Sequence, residues 1–212
     1  PFLKTGVMSA NLKISGNEDS IVHFTAETLT RQVIHPKPID TLRKENGSYK
    51  VELNYRHPTI ISFFIPHASR PRNLYVYVMP GDSLSIHYDF DQFMPGGDKP
   101  LCQFRGSNAA GHTFFYDYSF VPPIDHMPGL FQLIGQSSAD DLLSNILAEI
   151  QRQHAPLDSL LEQQEIEATF YQIVSFRIQA TLLNGAIGRF FARKSSLGLT
   201  NYSYAEKVEI VR

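Results

Sequence analysis

The hydrophobic period changes part-way along this chain, and that change restricts it to folds in which sheet and helix are segregated. Up to about residue 118 the apolar residues come in short aromatic or β-branched runs: Val7 to Ile14, Ile21 to Ala26, Leu29 to Ile34, Tyr49 to Tyr55, Thr59 to Ile65, Leu74 to Val78, Leu84 to Phe90 and Leu101 to Phe104. Breakers part them: Gly16-Asn17, Pro36-Lys37-Pro38, Asn46-Gly47-Ser48, His57-Pro58, Arg70-Pro71-Arg72 and Pro95-Gly96-Gly97. Strands at this spacing, with no helical pattern between them, predict an antiparallel β-sandwich. Asn46-Gly47 is the strongest hairpin signal, because both residues accept the positive φ of a type I′ turn. Pro80-Gly81-Asp82 predicts a second turn: Pro80 presets φ, Gly81 accepts a positive φ, and Asp82 bonds nearby amides. Leu84, Ile86, Tyr88 and Phe90 share one face of their strand, and Ser83, Ser85, His87, Asp89 and Asp91 the other. Thr59 to Ile65 is almost continuously apolar, which predicts a central strand covered on both sides.

Beyond that point the spacing becomes helical. Ser138-Ala139-Asp140-Asp141 offers a serine N-cap with acidic residues in the first turn. Leu142, Leu143, Ile146, Leu147 and Ile150 follow on one stripe, which Pro156 is expected to end. A second helix is expected from near Asp158, with Leu160, Leu161, Phe170, Ile173, Val174 and Ile178 on its apolar face, fading or kinking at Asn184-Gly185. Tyr204 to Arg212 begins another helical pattern. The fold class is therefore α+β, an antiparallel β-sandwich over residues 1–118 followed by a small α-helical domain over 119–212. The boundary is expected in the proline- and glycine-rich stretch from Pro122-Pro123 to Gly135. There is no internal repeat or low-complexity tract.

Composition removes several function classes. Hydrophobic residues make up 42% and charged residues 19%, a globular balance. A net charge of −2 supplies no basic stripe for non-specific nucleic-acid binding. No run reaches the roughly 18 apolar residues of a membrane span, since the most apolar stretch, Ile173 to Ala192, carries Arg177, Gln179, Asn184 and Arg189. Cys102 is the single cysteine, so an internal disulfide and a cysteine-based zinc site are both impossible. Its apolar strand predicts a buried, inert thiol.

Three stretches invite a chemical reading. His87, Asp89 and Asp91, at i, i+2 and i+4, point to one side of one strand, and imidazole with carboxylates would suit zinc or manganese. The ordinary reading is the solvated face of a half-buried strand, and nothing downstream supplies a matched pair such as His-x-x-x-His. Gly106-Ser107-Asn108-Ala109-Ala110-Gly111-His112-Thr113 nearly spells a phosphate-binding loop, but His112 stands where the lysine belongs and no βαβ pattern surrounds it. Tyr75, Tyr77, Phe63, Phe64 and Tyr88 could line a carbohydrate or peptide platform; alternating aromatics on strands are more often core, and there is no tryptophan. No Gly-x-Ser-x-Gly elbow, His-Glu-x-x-His or dinucleotide fingerprint occurs. Of the eight histidines, His23, His35, His57 and His67 fall at strand ends or turns. Asp140-Asp141 and Glu165/Glu167 fall on expected helices as solvated carboxylates. These residues assign no catalytic, cofactor-binding or metal-binding role.

Val78-Met79-Pro80-Gly81-Asp82-Ser83-Leu84-Ser85-Ile86, followed by Phe104-Arg105-Gly106-Ser107-Asn108-Ala109, resembles the N-terminal β-domain of extracytoplasmic TlpA-type thiol-disulfide oxidoreductases of Bacteroidetes. Asn46-Gly47-Ser48-Tyr49 is similar to that family's Gly-Ser-Phe hairpin. Glu162 to Phe176 is similar to its link between β-domain and thioredoxin-like fold. The resemblance covers about residues 5 to 200 and implies that Gly106 to Ala110 closes the β-domain and opens a helix with Phe114, Phe115, Tyr118 and Phe120 as core. It implies an accessory or interaction region, exported to the periplasm or cell envelope, soluble or held by a lipid anchor upstream. The implied partner is a C-terminal thioredoxin-like domain or a protein substrate. No Cys-x-x-Cys occurs here, so no catalytic residue carries over and the redox chemistry is expected beyond Arg212. The sequence opens on Pro1-Phe2-Leu3-Lys4, as a mature or trimmed chain would, and breaks off within a pattern at Val208 to Arg212. Asn46-Gly47-Ser48 and Asn201-Tyr202-Ser203 match the glycosylation sequon, which the implied bacterial origin voids. Two alternatives stand beside this reading: a stand-alone ligand- or glycan-binding module using the aromatic strand faces, and a metal-dependent hydrolase using His87, Asp89 and Asp91.

Overall fold

A computed structural model of the protein describes residues 6–16, 21–29, 34–36, 40–66, 72–93, 99–120 and 139–196. The chain divides into two compact units, one of Pro1–Phe120 with Leu160–Phe170 and one of Val121–Ser159 with Tyr171–Arg212. The expected link from Pro122 to Gly135, the Ser138 cap and the Tyr204 to Arg212 pattern lie outside the described residues.

The described part of the first unit holds nine strands: β1 (Gly6–Ser15), β2 (Ile21–Leu29), β3 (Ile34–Pro36), β4 (Asp40–Arg43), β5 (Tyr49–Tyr55), β6 (Thr59–Ile65), β7 (Arg72–Val78), β8 (Ser83–Phe93) and β9 (Pro100–Gly106). They form a four-stranded sheet in the order β5-β1-β8-β9 and a five-stranded sheet in the order β3-β2-β6-β7, with β4 also pairing β2. Three helices follow in the described chain: α1 (Ala109–Phe120), α2 (Ala139–Glu162) and α3 (Ala168–Ser196). The fold is α+β, as the change of period predicts.

The sheets share one hydrophobic cluster, built from every second residue of their strands. Met8, Ala10, Leu12 and Ile14 of β1 and Leu84, Ile86 and Tyr88 of β8 come from the four-stranded sheet. Val22, Phe24 and Ala26 of β2, Ile61, Phe63 and Ile65 of β6, and Leu74, Val76 and Val78 of β7 come from the other. Burying each large aliphatic or aromatic side chain contributes about 1.5–3 kcal/mol, so this alternation holds the strands in register.

Several expectations need correction. The pairing is not wholly antiparallel, because β1 runs parallel to β8, with Lys13 opposite His87 and Asn11 opposite Ser85. A parallel neighbour requires a long connection, and here the chain between the two passes through the other sheet. Leu29 to Ile34 is not one strand, since Leu29 closes β2 and Ile34 opens β3, and the two residues pair with each other. β4, read as Asp-Thr-Leu-Arg, has too little apolar content to announce itself. β6 is central, between β2 and β7, but only one face is fully covered: Ile60 and Ser62 are half-buried and Phe64 is exposed.

Both predicted turns form, and each moves the chain from one sheet to the other. Asn46 and Gly47 adopt φ of 50° and 81°, while Glu45 and Ser48 exchange backbone hydrogen bonds of 2.8 and 3.0 Å. β4 before this turn pairs β2, whereas β5 after it pairs β1. At the other corner Gly81 has φ 95°, and the Asp82 N–H donates to the Met79 carbonyl at 2.9 Å. The Asp82 carboxylate accepts the Met79 N–H at 2.9 Å, closing the turn from both directions.

The helices also depart from expectation. Pro156 lies inside α2 rather than ending it. Ile146 and Ile150 on one side of the proline and Leu157 beyond it are buried, and this stripe outweighs one lost helical hydrogen bond. α2 ends instead at Glu162, capped two residues on by Gln164, a non-glycine residue with φ 60°. The Gln164 N–H donates to Leu161 O at 3.0 Å and the Glu165 N–H to Leu160 O at 2.9 Å, the two bonds of a Schellman cap. Glu165 and Glu167 therefore sit in the turn, not on a helix. α3 runs unbroken through Asn184-Gly185 to Ser196, since its two internal glycines, Gly185 and Gly188, cost only about 1 kcal/mol each. Within the second unit, His154 of α2 meets Ser175 of α3 (3.2 Å to its carbonyl, 3.3 Å to its hydroxyl), and the Tyr171 hydroxyl donates to Asp158 at 2.7 Å.

Candidate functional site

The outer face of the four-stranded sheet carries an open depression of about 220 Å³ lined by Lys13, Ser85, Ile86, His87, Gln103 and Arg105. Register places these side chains. Lys13, His87 and Gln103 form one row across β1, β8 and β9, and Asn11, Ser85 and Arg105 form the next. Lys13, Ser85, Gln103 and Arg105 are exposed and His87 is half-buried. His87 Nε2 lies 2.9 Å from the Ser15 hydroxyl on β1, which fixes the ring's orientation. On the neighbouring strand β5, Lys50 pairs with Glu52 at 2.6 Å.

The expected metal candidates share a strand but not an environment. Asp89 is buried, at 5% exposure, and its Oδ1 accepts the Asp91 N–H at 2.9 Å, whereas Asp91 is exposed. No group of three metal-ligating side chains occurs among the described residues. The solvated-face reading holds for Ser83, Ser85 and Asp91, but not for Asp89, whose carboxylate serves its own backbone. Of the aromatic platform, Phe63, Tyr77 and Tyr88 are core. Phe64 and Tyr75 remain exposed, at 42% and 41%, one diagonal step apart on β6 and β7, and the His23 ring lies 6.4 Å from Phe64.

The run from Gly106 to Thr113 closes β9 and opens α1. Gly106 has φ 106°, and a Cβ there would lie 2.1 Å from the Ser83 carbonyl oxygen. Asn108 adopts φ 54°, its carbonyl accepts the His112 N–H at 3.0 Å, and its side-chain oxygen accepts the Glu167 N–H at 2.7 Å. His112 points inward: its ring stacks on Phe104 at 5.5 Å and meets Phe170 edge-on at 4.9 Å. Neither ring nitrogen has a hydrogen bond of proper geometry; the Tyr77 backbone favours the protonated form, but burial outweighs it and lowers the imidazole pKa to about 3. A neutral ring in that position cannot reach a phosphate as the lysine of a nucleotide loop does. Phe115 and Tyr118 are core, as expected, while Phe114 is only half-buried; the Phe120 side chain lies outside the description.

Beside this helix start, Asp82 is buried and its carboxyl is raised above the ordinary range, chiefly by desolvation and also by the charge of Glu167, against the Met79 amide that favours the charged form. Cys102 is 7% exposed. Burial drives its thiol well above the usual value, against a smaller opposing pull from Lys99. Among residues the sequence reading passed over, Lys13 and Arg105 are the ones the structure brings together. Their outward positions follow from alternation, but the pairing of β1 with β8 carries no local signal. No protein-family model and no curated protein matches the chain. No helix among the described residues is long and apolar enough to cross a membrane.

Proposed function

We propose that this chain is a non-catalytic accessory or interaction region of an extracytoplasmic thioredoxin-like thiol-disulfide oxidoreductase of the TlpA type, working in the periplasm or at the cell envelope. The reading rests on the resemblance of Val78 to Ile86 and Phe104 to Ala109 to that family's β-domain, and its non-catalytic part is supported by the state of the single thiol. Cys102 lies in the core and is held protonated by burial, so it lacks the thiolate that attacks a disulfide. On this reading a thioredoxin-like domain elsewhere in the protein supplies the paired cysteines, and the sheets offer surface for positioning it or its substrate. The intact mass of the protein made by its native host tests this. A mass of about 40 kDa or more, as one further domain of ordinary size gives, with a Cys-x-x-Cys peptide beyond Arg212, is the expected result. A mass near the 24.0 kDa of this sequence overturns it.

A second reading, a stand-alone ligand- or glycan-binding module, draws on the exposed pair Phe64 and Tyr75 with His23 alongside, because aromatic faces open to solvent suit the apolar faces of sugar rings. A polysaccharide that changes tyrosine fluorescence at micromolar concentration, with the change lost in Tyr75→Ala, favours it. No such response from a broad glycan panel removes it.

A further inference from the structure

The depression on the outer face of the four-stranded sheet brings two cations together without a carboxylate between them. Lys13 on β1 and Arg105 on β9 flank the central strand β8 from opposite sides and both line the depression. Neither forms an ion pair among the described residues. No carboxylate lines the depression; Asp89, two residues along β8 from His87, accepts the Asp91 amide, and Glu52 pairs with Lys50. Strands lie about 4.8 Å apart and same-face neighbours about 6.8 Å along a strand, which sets the two Cα atoms about 12 Å apart, a span that one ligand held between two long side chains can bridge. Ser85 and Gln103 add neutral donors at the floor and rim. His87, oriented by its contact with Ser15 at 2.9 Å, adds an imidazole.

We infer that this depression binds a tetrahedral oxyanion, phosphate or sulfate, free or carried as an ester on a larger ligand, between Lys13 and Arg105. A guanidinium fork, an ammonium and hydroxyl and amide donors arriving from several directions match an acceptor with three or four oxygens. A carboxylate, with two oxygens in one plane, would meet fewer of these donors at once. The site is open on one side, which leaves room for the remainder of an ester. This inference does not depend on the accessory-region reading, because it would hold equally for a stand-alone protein.

The test is an amide NMR titration of the whole chain with inorganic phosphate, inorganic sulfate, glycerol 1-phosphate and acetate, each against sodium chloride of matched ionic strength. Saturable shifts confined to residues around 13, 85–87 and 103–105 are expected with phosphate, sulfate or the ester, with a Kd on the order of 1 mM. Lys13→Gln and Arg105→Gln, both at exposed positions, should each weaken binding about fivefold or more. A much tighter ester than free phosphate supports a ligand-borne group, and equal affinities support the free ion. Shifts reproduced by chloride, equal binding of acetate, no saturation, or unchanged affinity in the double variant would each overturn the site.

Discussion

His112 makes the stability of the first unit sensitive to acid. Its imidazole is buried among Phe104 and Phe170, and its pKa falls from 6.5 to about 3. Between those values the unfolded chain takes up a proton that the folded chain refuses, so stability rises with pH across that window and is lost as the pH falls below about 6.5. At about 1.4 kcal/mol per pH unit, acidification from neutrality to pH 5 should cost about 2 kcal/mol from this group. Asp82 acts with the opposite sign: its raised carboxyl costs stability when ionised, and that cost fades as the pH falls through its folded pKa. Urea unfolding of wild type and His112→Leu at pH 7.5 and 5.0 separates the two, with a smaller pH difference expected in the variant. An unchanged difference would assign the acid response elsewhere. Cys102 should resist a thiol reagent at pH 8 in the folded protein and react fully in urea, as absorbance of the released chromophore would report.

At the scale of single elements, the strand ends and helix ends decide more than propensity does. Gly106 closes β9 with φ 106° and no space for a Cβ, so Gly106→Ala should lose about 2–4 kcal/mol of stability through strain and clash, measurable by thermal unfolding. Pro156 is exposed within α2; Pro156→Ala restores a helical donor and should stabilise the second unit by about 1–3 kcal/mol, read as a higher melting temperature. Most of these elements are legible from the residues. The alternation of β8 comes from the pleat, and the Asn46-Gly47 and Pro80-Gly81 turns from local sterics, all of which neighbouring residues specify. The places where reading fails each have a physical cause. β4 is held by its pairing with β2, α2 continues past Pro156 because buried residues lie on both sides of it, and its cap at Gln164 uses a residue with no intrinsic preference for positive φ. At β4 and Pro156 pairing or burial outweighs a local preference of about 1–3 kcal/mol, and at Gln164 the two capping hydrogen bonds offset it.

Across the molecule, the segment Leu160–Phe170 belongs with the strands rather than with the rest of the helical region. Phe170 is fully buried and meets the rings of Tyr77 at 6.3 Å and His112 at 4.9 Å. Gly111 permits this approach, since a Cβ there would lie 2.3 Å from the Phe170 ring. Phe170→Ala should therefore destabilise the strand-bearing unit by about 3–5 kcal/mol, although the residue lies 64 positions beyond Gly106, the end of β9. Circular dichroism followed through urea unfolding would show it. The sequence by itself determined that sheet precedes helix, which face of β8 turns inward, where the chain reverses, and that the single thiol has no disulfide partner within these 212 residues, because these follow from period, turn chemistry and composition. Only the tertiary structure decided that β1 lies parallel to β8, that the two best turns carry the chain between sheets, that His112 is buried neutral, and that Lys13 and Arg105 face one depression. Those outcomes depend on which strands pair, and pairing is set by the burial of whole faces between residues far apart in the chain.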